Sequence, residues 1–301
     1  MFQKEITVLA VDDEPDVLSI TKLALSSMKV GGLPLKVYTA TSKAETIELL
    51  NGPLGSQVRG ISRIAVAFID VVMETDHAGL ELCQYIRETM GNKVTQIYVR
   101  TGQPGVAPER AVIDRYDITG YLAKVEATED KLYSLVRSGI RTALVIGLSL
   151  GLSEATAALI NASRSREQMA AVLTYFVASL QRDPQGEPLQ NVDVRMCCIS
   201  DGQIIGGDWN DDDAAALAMR DRLAARPGTP VGTSGDTHYV TDGDDFLIQV
   251  VAGPDAADMA LLARGTVPAP EIELQLLARF TRPLAALWQH TATPQRELAT
   301  A

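Results

Sequence analysis

Histidine and cysteine are scarce in this 301-residue chain, with three of each. Cys83 and the adjacent Cys197 and Cys198 make neither a disulfide framework nor a paired-cysteine metal signature, so a reducing, cytoplasmic setting is expected. With only His77, His238 and His290 available, a multi-histidine metal centre cannot be assembled. Basic residues are also in deficit. Twenty-seven Lys and Arg stand against 38 Asp and Glu, a formal net charge of -11. That field repels phosphate backbones and no Lys/Arg-rich stripe offsets it, so nucleic acid is not an expected partner. Long hydrophobic runs are absent as well. The most lipid-like stretch, Thr142 to Ser153, is bounded by Arg141 and Glu154 and falls short of the ~20 residues that span a bilayer, so no membrane insertion is expected. The chain enters a strand pattern at once, through Ile6 to Val11, and shows no export signal.

What is present reads as globular. The chain is 46% hydrophobic and 22% charged, and its length predicts two domains. From residue 5 to about 126, short apolar runs alternate with helical patterns, the signature of βαβ units. Strands are expected at Ile6 to Val11, Leu35 to Tyr38, Ile64 to Ile69, Ile97 to Val99 and Tyr121 to Ala123. Helices are expected at Asp16 to Met28 with Pro15 in the first turn, at Lys43 to Leu50 behind a Ser42/Glu45 capping box, at Leu80 to Met90 and at Pro108 to Tyr116. The Asn51 to Arg63 segment reads as a long surface loop.

Thr128 opens a helical pattern that runs to about Ala162. Leu132, Val136, Gly139, Ala143, Ile146, Leu150, Ser153, Ala157 and Ile160 form a heptad seam rich in small residues. A helix lying on its own two domains and a dimeric signalling helix fit this seam equally. A helix follows at Arg166 to Gln181, behind a Ser165/Gln168 capping box, and a loop at Asp183 to Pro188 ends it. Two hairpins with Asp-Gly turns come next, Val192 to Ile199 with Gln203 to Gly207, and His238 to Thr241 with Phe246 to Val251. Helices at Asp213 to Ala225 and at Glu271 to Gln289, the latter kinked by Pro283, complete an α-ββ-α-ββ-α order. That order predicts an antiparallel sheet with helices packed on it.

The chemistry-bearing residues lie where parallel strands end. Asp12 and Asp13 follow the first strand, Asp70 the third, Thr101 the fourth and Lys124 the fifth. In open parallel sheets functional groups gather at the carboxyl ends of the strands, so these five can converge. Three crowded carboxylates repel one another unless a hard dication such as Mg²⁺ lies between them, and Asp12 and Asp13 would hold it. Asp70 could then attack phosphorus as a carboxylate nucleophile. Lys124 would compensate charge on the transferred oxygens, and the Thr101 hydroxyl would donate a hydrogen bond to one of them beside Gly102.

The runs Leu9-Ala-Val-Asp-Asp-Glu-Pro15, Ile69-Asp-Val-Val-Met73, Gly79-Leu-Glu-Leu82, Val99-Arg-Thr101 and Tyr121-Leu-Ala-Lys124 resemble the receiver domain of response regulators. The resemblance covers residues 5 to about 126. It implies a five-stranded, doubly wound, flavodoxin-like α/β fold and phosphorylation of Asp70 by a sensor histidine kinase or phosphotransfer protein. It also implies Mg²⁺ bound by Asp12, Asp13, Asp70 and the Val72 carbonyl, and a switch in which Thr101 and Tyr121 move together. Val125 and Glu74 replace prolines common in the family.

The domains expected are a receiver at 1–127, a connecting signalling helix at 128–162 and an α+β domain at 163–301. Phrases such as Val72-Met-Glu-Thr-Asp76, Arg100-Thr-Gly-Gln-Pro-Gly105 and Tyr116-Asp-Ile-Thr-Gly120 resemble a subgroup in which a GAF-like domain follows the receiver, often ahead of an HD-GYP cyclic-dinucleotide phosphodiesterase. No His-Asp dipeptide and no Gly-Tyr-Pro occurs, and that activity is not expected. Gly206-Gly-Asp-Trp-Asn210 begins like a diguanylate cyclase turn but lacks its acidic fourth residue. Cys197, Cys198, His238, Trp209 and Trp288 read as core or interface, and Asp211 to Asp213 as a solvated helix start. The expectation is therefore a non-enzymatic, cytoplasmic response regulator acting through a protein partner or a homodimer. One alternative is a sensor whose second domain binds a metabolite or nucleotide, and another is an enzyme with unrecognised activity on cyclic dinucleotides, which would need a nucleophile or metal centre among residues 190–260.

Overall fold

A computed structural model of the chain describes residues 5–55, 64–102, 109–180, 195–209, 212–233, 235–254, 257–265 and 270–292. The chain divides into two units, residues 3–147 and 148–301. In the first, β1 (Ile6–Val11), α1 (Pro15–Ser26), β2 (Lys29–Val30), β3 (Leu33–Ala40), α2 (Lys43–Asn51) and β4 (Ile64–Asp70) come in that order. They are followed by α3 (Ala78–Gln84), β5 (Gln96–Thr101), α4 (Glu109–Tyr116), β6 (Gly120–Ala123) and the start of α5 (Glu129–Ala162). The sheet order is β2-β3-β1-β4-β5-β6. Its five long strands pair in parallel in the 2-1-3-4-5 order of flavodoxin-like doubly wound folds.

The expected five-stranded sheet is thus corrected to six strands, the sixth being the antiparallel two-residue β2. Gly31 and Gly32 both have positive φ, +59° and +86°, and this pair in a two-residue loop is what turns β2 back onto β3. Inside the sheet, side chains alternate between two cores. Leu9, Val11, Ile69 and Val99 pack with Leu50, Leu82, Ile86 and Val112 from the α2, α3 and α4 side. Val8, Phe68 and Tyr98 pack with Leu25 of α1 and with Leu132, Val136 and Ile140 of α5. Burial on both faces explains why β4 is an unbroken apolar run.

Local signals account for most helix starts. Pro15 occupies the first turn of α1, where its missing N–H costs nothing. Ser42 Oγ accepts from the Glu45 N–H, but the Glu45 carboxylate reaches back to Thr41 rather than to Ser42, so the capping box is only half formed. The expected helix at Leu80 to Met90 is α-helical only to Gln84 and passes into a π-helical turn at Tyr85–Thr89. There the buried Arg87 guanidinium donates to the carbonyls of Asp117, Asn92 and Thr95. Pro108 and most of the Asn51–Arg63 loop lie outside the described residues.

α5 is one continuous helix begun by Thr128, whose Oγ1 accepts from the Lys131 N–H. By length and composition it could cross a membrane, which the shorter Thr142 to Ser153 stretch did not suggest. Some of its apolar residues belong to protein cores, Leu132, Val136 and Ile140 in the first unit and Leu152, Ala155 and Leu159 in the second, while Leu150 and Ile160 are exposed. Gly139 lies against the first sheet, where an added Cβ would fall 2.8 Å from Val66 and 3.3 Å from Gln96 and Tyr98. Its small size lets the helix approach its own sheet, so this position of the seam is intramolecular packing.

The second unit continues with α6 (Arg166–Leu180), β7 (Arg195–Ser200), β8 (Gln203–Asp208), α7 (Asp213–Ala224), β9 (Thr229–Pro230), β10 (Thr237–Asp242), β11 (Asp245–Val250), β12 (Met259–Arg264) and α8 (Glu271–Ala292). Its antiparallel sheet runs β8-β7-β12-β11-β10-β9. Strand β12 was not foreseen from the sequence, because Met259-Ala-Leu-Leu-Ala263 reads equally as helix and is buried on both faces. Odd and even positions feed different cores. Met196, Cys198, Leu261 and Ala263 face Met169, Leu173, Leu277 and Ala278 of α6 and α8. Cys197, Ile199, Ala260 and Leu262 face Ala216, Met219 and Leu223 of α7.

The first hairpin turns at Asp201 and Gly202, both at positive φ. The second turns at Gly243-Asp244, one residue beyond the expected Asp242-Gly243, because Asp242 pairs with Asp245. α8 continues through Pro283. The Asp183–Pro188 loop, residues 192–194 and residues 293–301 lie outside the described residues.

Two glycines of α5 give opposite expectations. At Gly151 an added Cβ meets nothing within 4 Å, so Gly151→Ala is expected to raise stability by about 0.5–1 kcal/mol. Gly139→Leu overpacks the helix against the sheet and is expected to lower it by about 1–3 kcal/mol. Chemical denaturation of the two variants checks both.

Candidate functional site

The carboxyl ends of β1 and β4 bring three carboxylates together. Ligand oxygens of Asp12, Asp13 and Asp70 all lie within 4.8 Å of one another, Asp12 and Asp70 buried and Asp13 exposed. The Asp70 loop is held from behind: Val71 N–H donates to the Arg100 carbonyl at 3.0 Å, and Gly79 N–H donates to the Val71 carbonyl at 3.1 Å. A Cβ on Gly79 would lie 1.8 Å from the Asp70 carbonyl oxygen. Glycine there is required by the approach of α3 to the end of β4.

Two cations answer the carboxylates. Lys124, in the 3-10 turn after β6, donates from Nζ to Asp70 Oδ2 at 2.8 Å, Asp12 Oδ1 at 3.1 Å and Glu14 Oε1 at 2.7 Å. Arg100, on β5, donates to Asp12 Oδ2 at 3.2 Å and to Thr21 Oγ1 at 2.9 Å. Burial pushes the Asp70 carboxyl above the usual carboxylate range, against the pull of Lys124, and Asp12 adds to the rise. Burial works against the Lys124 ammonium too, but its hydrogen bonds to Asp70, Glu14 and Asp12 hold it above the ordinary lysine range. The half-buried ammonium is therefore a fixed positive charge aimed at Asp70. Three hard oxygen donors in this arrangement suit a divalent cation of the Mg²⁺ or Mn²⁺ kind.

The remaining residues singled out from the sequence line the same edge. Thr101 ends β5, is buried, and pairs in register with Ala123, the residue before Lys124. Tyr121 pairs with Val99 and is half-buried at the margin of the core under α2, α3 and α4. Val72 follows Asp70 by two residues and is half-buried. Sequence reasoning missed Glu14 and Arg100 as members of the site. The signal for Arg100 was present, since an arginine within the apolar Ile97–Val99 run must find a partner if that strand is buried.

Among the described residues, no comparable cluster forms from the other candidates. Cys197 and Cys198 are buried core groups, and burial pushes the Cys198 thiol up to about 12. His238 packs across from Gly228, and Trp209 and Trp288 are buried in separate cores. The glycines of Gly206-Gly-Asp-Trp-Asn210 have packing roles. A Cβ on Gly206 would strike Leu173 at 2.7 Å, and Gly207, at φ +99°, sits 2.5 Å in the same sense from the Met196 carbonyl. Asn210 and Asp211 lie outside the described residues.

No family model matches the chain. Among characterised proteins it is 38% identical over 186 residues to the 3'3'-cGAMP-specific phosphodiesterase 2 of Vibrio cholerae, covering 60% of this chain and 34% of that protein. The chain thus spans about a third of that relative's length. The match is longer than either unit and so crosses from one to the other. Similar solved structures include the signal receiver domain of an HD domain-containing protein from Pseudomonas fluorescens, 17% identical over 46% of this chain and 97% of that one, with a TM-score of 0.38. Another is the adenylate cyclase from Rhodopirellula baltica, 18% identical over 47% and 92%, with a TM-score of 0.38.

The phosphodiesterase match corrects one expectation. The sequence reading expected no enzymatic domain, because the His-Asp and Gly-Tyr-Pro signatures are absent and no nucleophile or metal centre stands out among residues 190–260, and a 38% identical phosphodiesterase relative overturns that expectation. A search for one catalytic signature tests one mechanism and not the activity as a class.

Because the Gly79 Cβ would collide with backbone rather than with a side chain, Gly79→Ala is expected to cost roughly 3 kcal/mol or more. It should also abolish calorimetrically detected Mg²⁺ binding by displacing Asp70.

Proposed function

We propose that this chain is a two-component response regulator in which Asp70 accepts a phosphoryl group, and that phosphorylation controls turnover of a cyclic dinucleotide. The observation that carries the reading is the Asp70 carboxylate, 2.8 Å from the Lys124 ammonium and beside Asp12 and Asp13 at the carboxyl end of a doubly wound sheet. Mg²⁺, held by Asp12, Asp13, Asp70 and the Val72 carbonyl, would supply charge neutralisation for the phosphoryl oxygens. An Asp70 oxygen attacks phosphorus, the bond from phosphorus to the donor's leaving atom breaks, and the donor leaves with that electron pair. Lys124 keeps its proton and pairs with the new phosphoryl oxygens, while the Thr101 hydroxyl donates to one of them. Thr101 then draws toward the acceptor and Tyr121 follows it inward, which is the switch.

The donor is a histidine kinase or a phosphotransfer protein. The second unit is read as a GAF-like regulatory domain, a reading supported by helices on both faces of its antiparallel sheet. Leu150 and Ile160, 43% and 55% exposed on the heptad spacing of α5, support pairing of two copies along that helix. The link to cyclic dinucleotides is carried by the phosphodiesterase relative.

Incubation with acetyl phosphate and Mg²⁺ is expected to place one hydroxylamine-labile phosphate on the wild-type chain and none on Asp70→Asn, measured by intact mass. Hydrolysis of 3'3'-cGAMP, followed with and without beryllofluoride, should change with the phosphoryl mimic only in the wild type. Equal labelling of both proteins would sink the assignment of Asp70.

A further inference from the structure

Among the described residues, Arg100 is the bulkiest of the fully buried side chains. It stands beside Asp70 in the β4–β5 register and points toward β1 and α1. One terminal nitrogen donates to Asp12 Oδ2 at 3.2 Å and the other to Thr21 Oγ1 at 2.9 Å, while the guanidinium lies 5.9 Å from the Phe68 ring centroid. Its Nε is buried without a hydrogen-bond partner. Burying a guanidinium is costly, and this one is incompletely paired, where an aliphatic residue would complete the surrounding core. The placement keeps a charge that does not titrate in the physiological range directly beneath the acidic cluster.

We infer that Arg100 is a permanent internal counter-charge that weakens the affinity of the Asp12, Asp13 and Asp70 cluster for a divalent cation. This rests on the reading of that cluster as the Mg²⁺ site. Both oxygens of Asp12 are engaged by cations, Oδ1 by Lys124 at 3.1 Å and Oδ2 by Arg100 at 3.2 Å. An entering dication must therefore be bound against two fixed positive charges. Asp12 is also oriented by Lys124 and by the Glu14 N–H at 3.1 Å, so its position does not depend on the Arg100 hydrogen bond alone. Arg100 also satisfies Asp12 while no cation is bound, so the cluster tolerates loss of the ion.

Calorimetric titration of the full-length wild type, Arg100→Met and Arg100→Lys with Mg²⁺ tests this. The methionine variant is expected to bind Mg²⁺ at least about tenfold more tightly, from the loss of a like charge a few ångströms away. The lysine variant, which keeps the charge, is expected to stay within about threefold of wild type. Arg100→Gln, which retains a donor for Asp12, replaces the methionine variant if that does not fold, with the same expected tightening. Equal or weaker binding by a folded neutral variant overturns the inference, as does equal tightening in the lysine variant. Absence of Mg²⁺ binding by the wild type would overturn the reading of the cluster as a Mg²⁺ site together with it.

Discussion

The N-terminal unit is organised around mutual repulsion among carboxylates at one edge of a parallel sheet. Asp12 and Asp70 are buried where ionised groups are costly, and neither would persist there without a positive neighbour. Lys124 bridges both, with Glu14 on the outside, and Arg100 closes the site from below. These groups come from the ends of β1, β4 and β5 and from the turn after β6, so the sheet must hold its order and register for the charges to balance. Gly79, whose missing Cβ lets α3 close on the Asp70 backbone, and the buried Arg87, which ties the end of the α3 segment to the chain before β5, are parts of that positioning.

The same sheet joins the site to the helices on both of its faces. Thr101 and Tyr121 lie on neighbouring strands, and Tyr121 borders the core beneath α2, α3 and α4. Helix α5 packs on the opposite face through Leu132, Val136 and Ile140. The Tyr98 hydroxyl donates to the Leu135 carbonyl of that helix at 3.2 Å. The element that runs into the second unit is therefore packed on the sheet whose carboxyl edge carries the site.

Much of this was legible from residue order. Strands were readable because the central ones are continuous apolar runs, and helix starts because Pro15, Ser42 and Thr128 sit where orphan N–H groups need them. The acidic pair, Asp70 and Lys124 stood out because each follows a strand. Less legible were β2, too short to show a period, and β12, whose apolar run has no alternation to separate strand from helix. The heptad along α5 left an intramolecular and a dimeric reading open, and at Gly139 the packing is intramolecular. A helix that buries one stripe on its own sheet and a helix that buries it on a partner have the same spacing.

The sequence by itself determined the parallel α/β class of the first unit and the acidic residues at the ends of its strands, because periodicity and strand-end placement are local properties. Tertiary structure alone decided what those charges meet. That Lys124 reaches Asp70, that Arg100 is driven under Asp12 from 88 residues away, and that Gly79 must lack a side chain follow from the approach of segments distant in the chain. Coulomb and steric terms act through space, and spacing along the chain does not encode them.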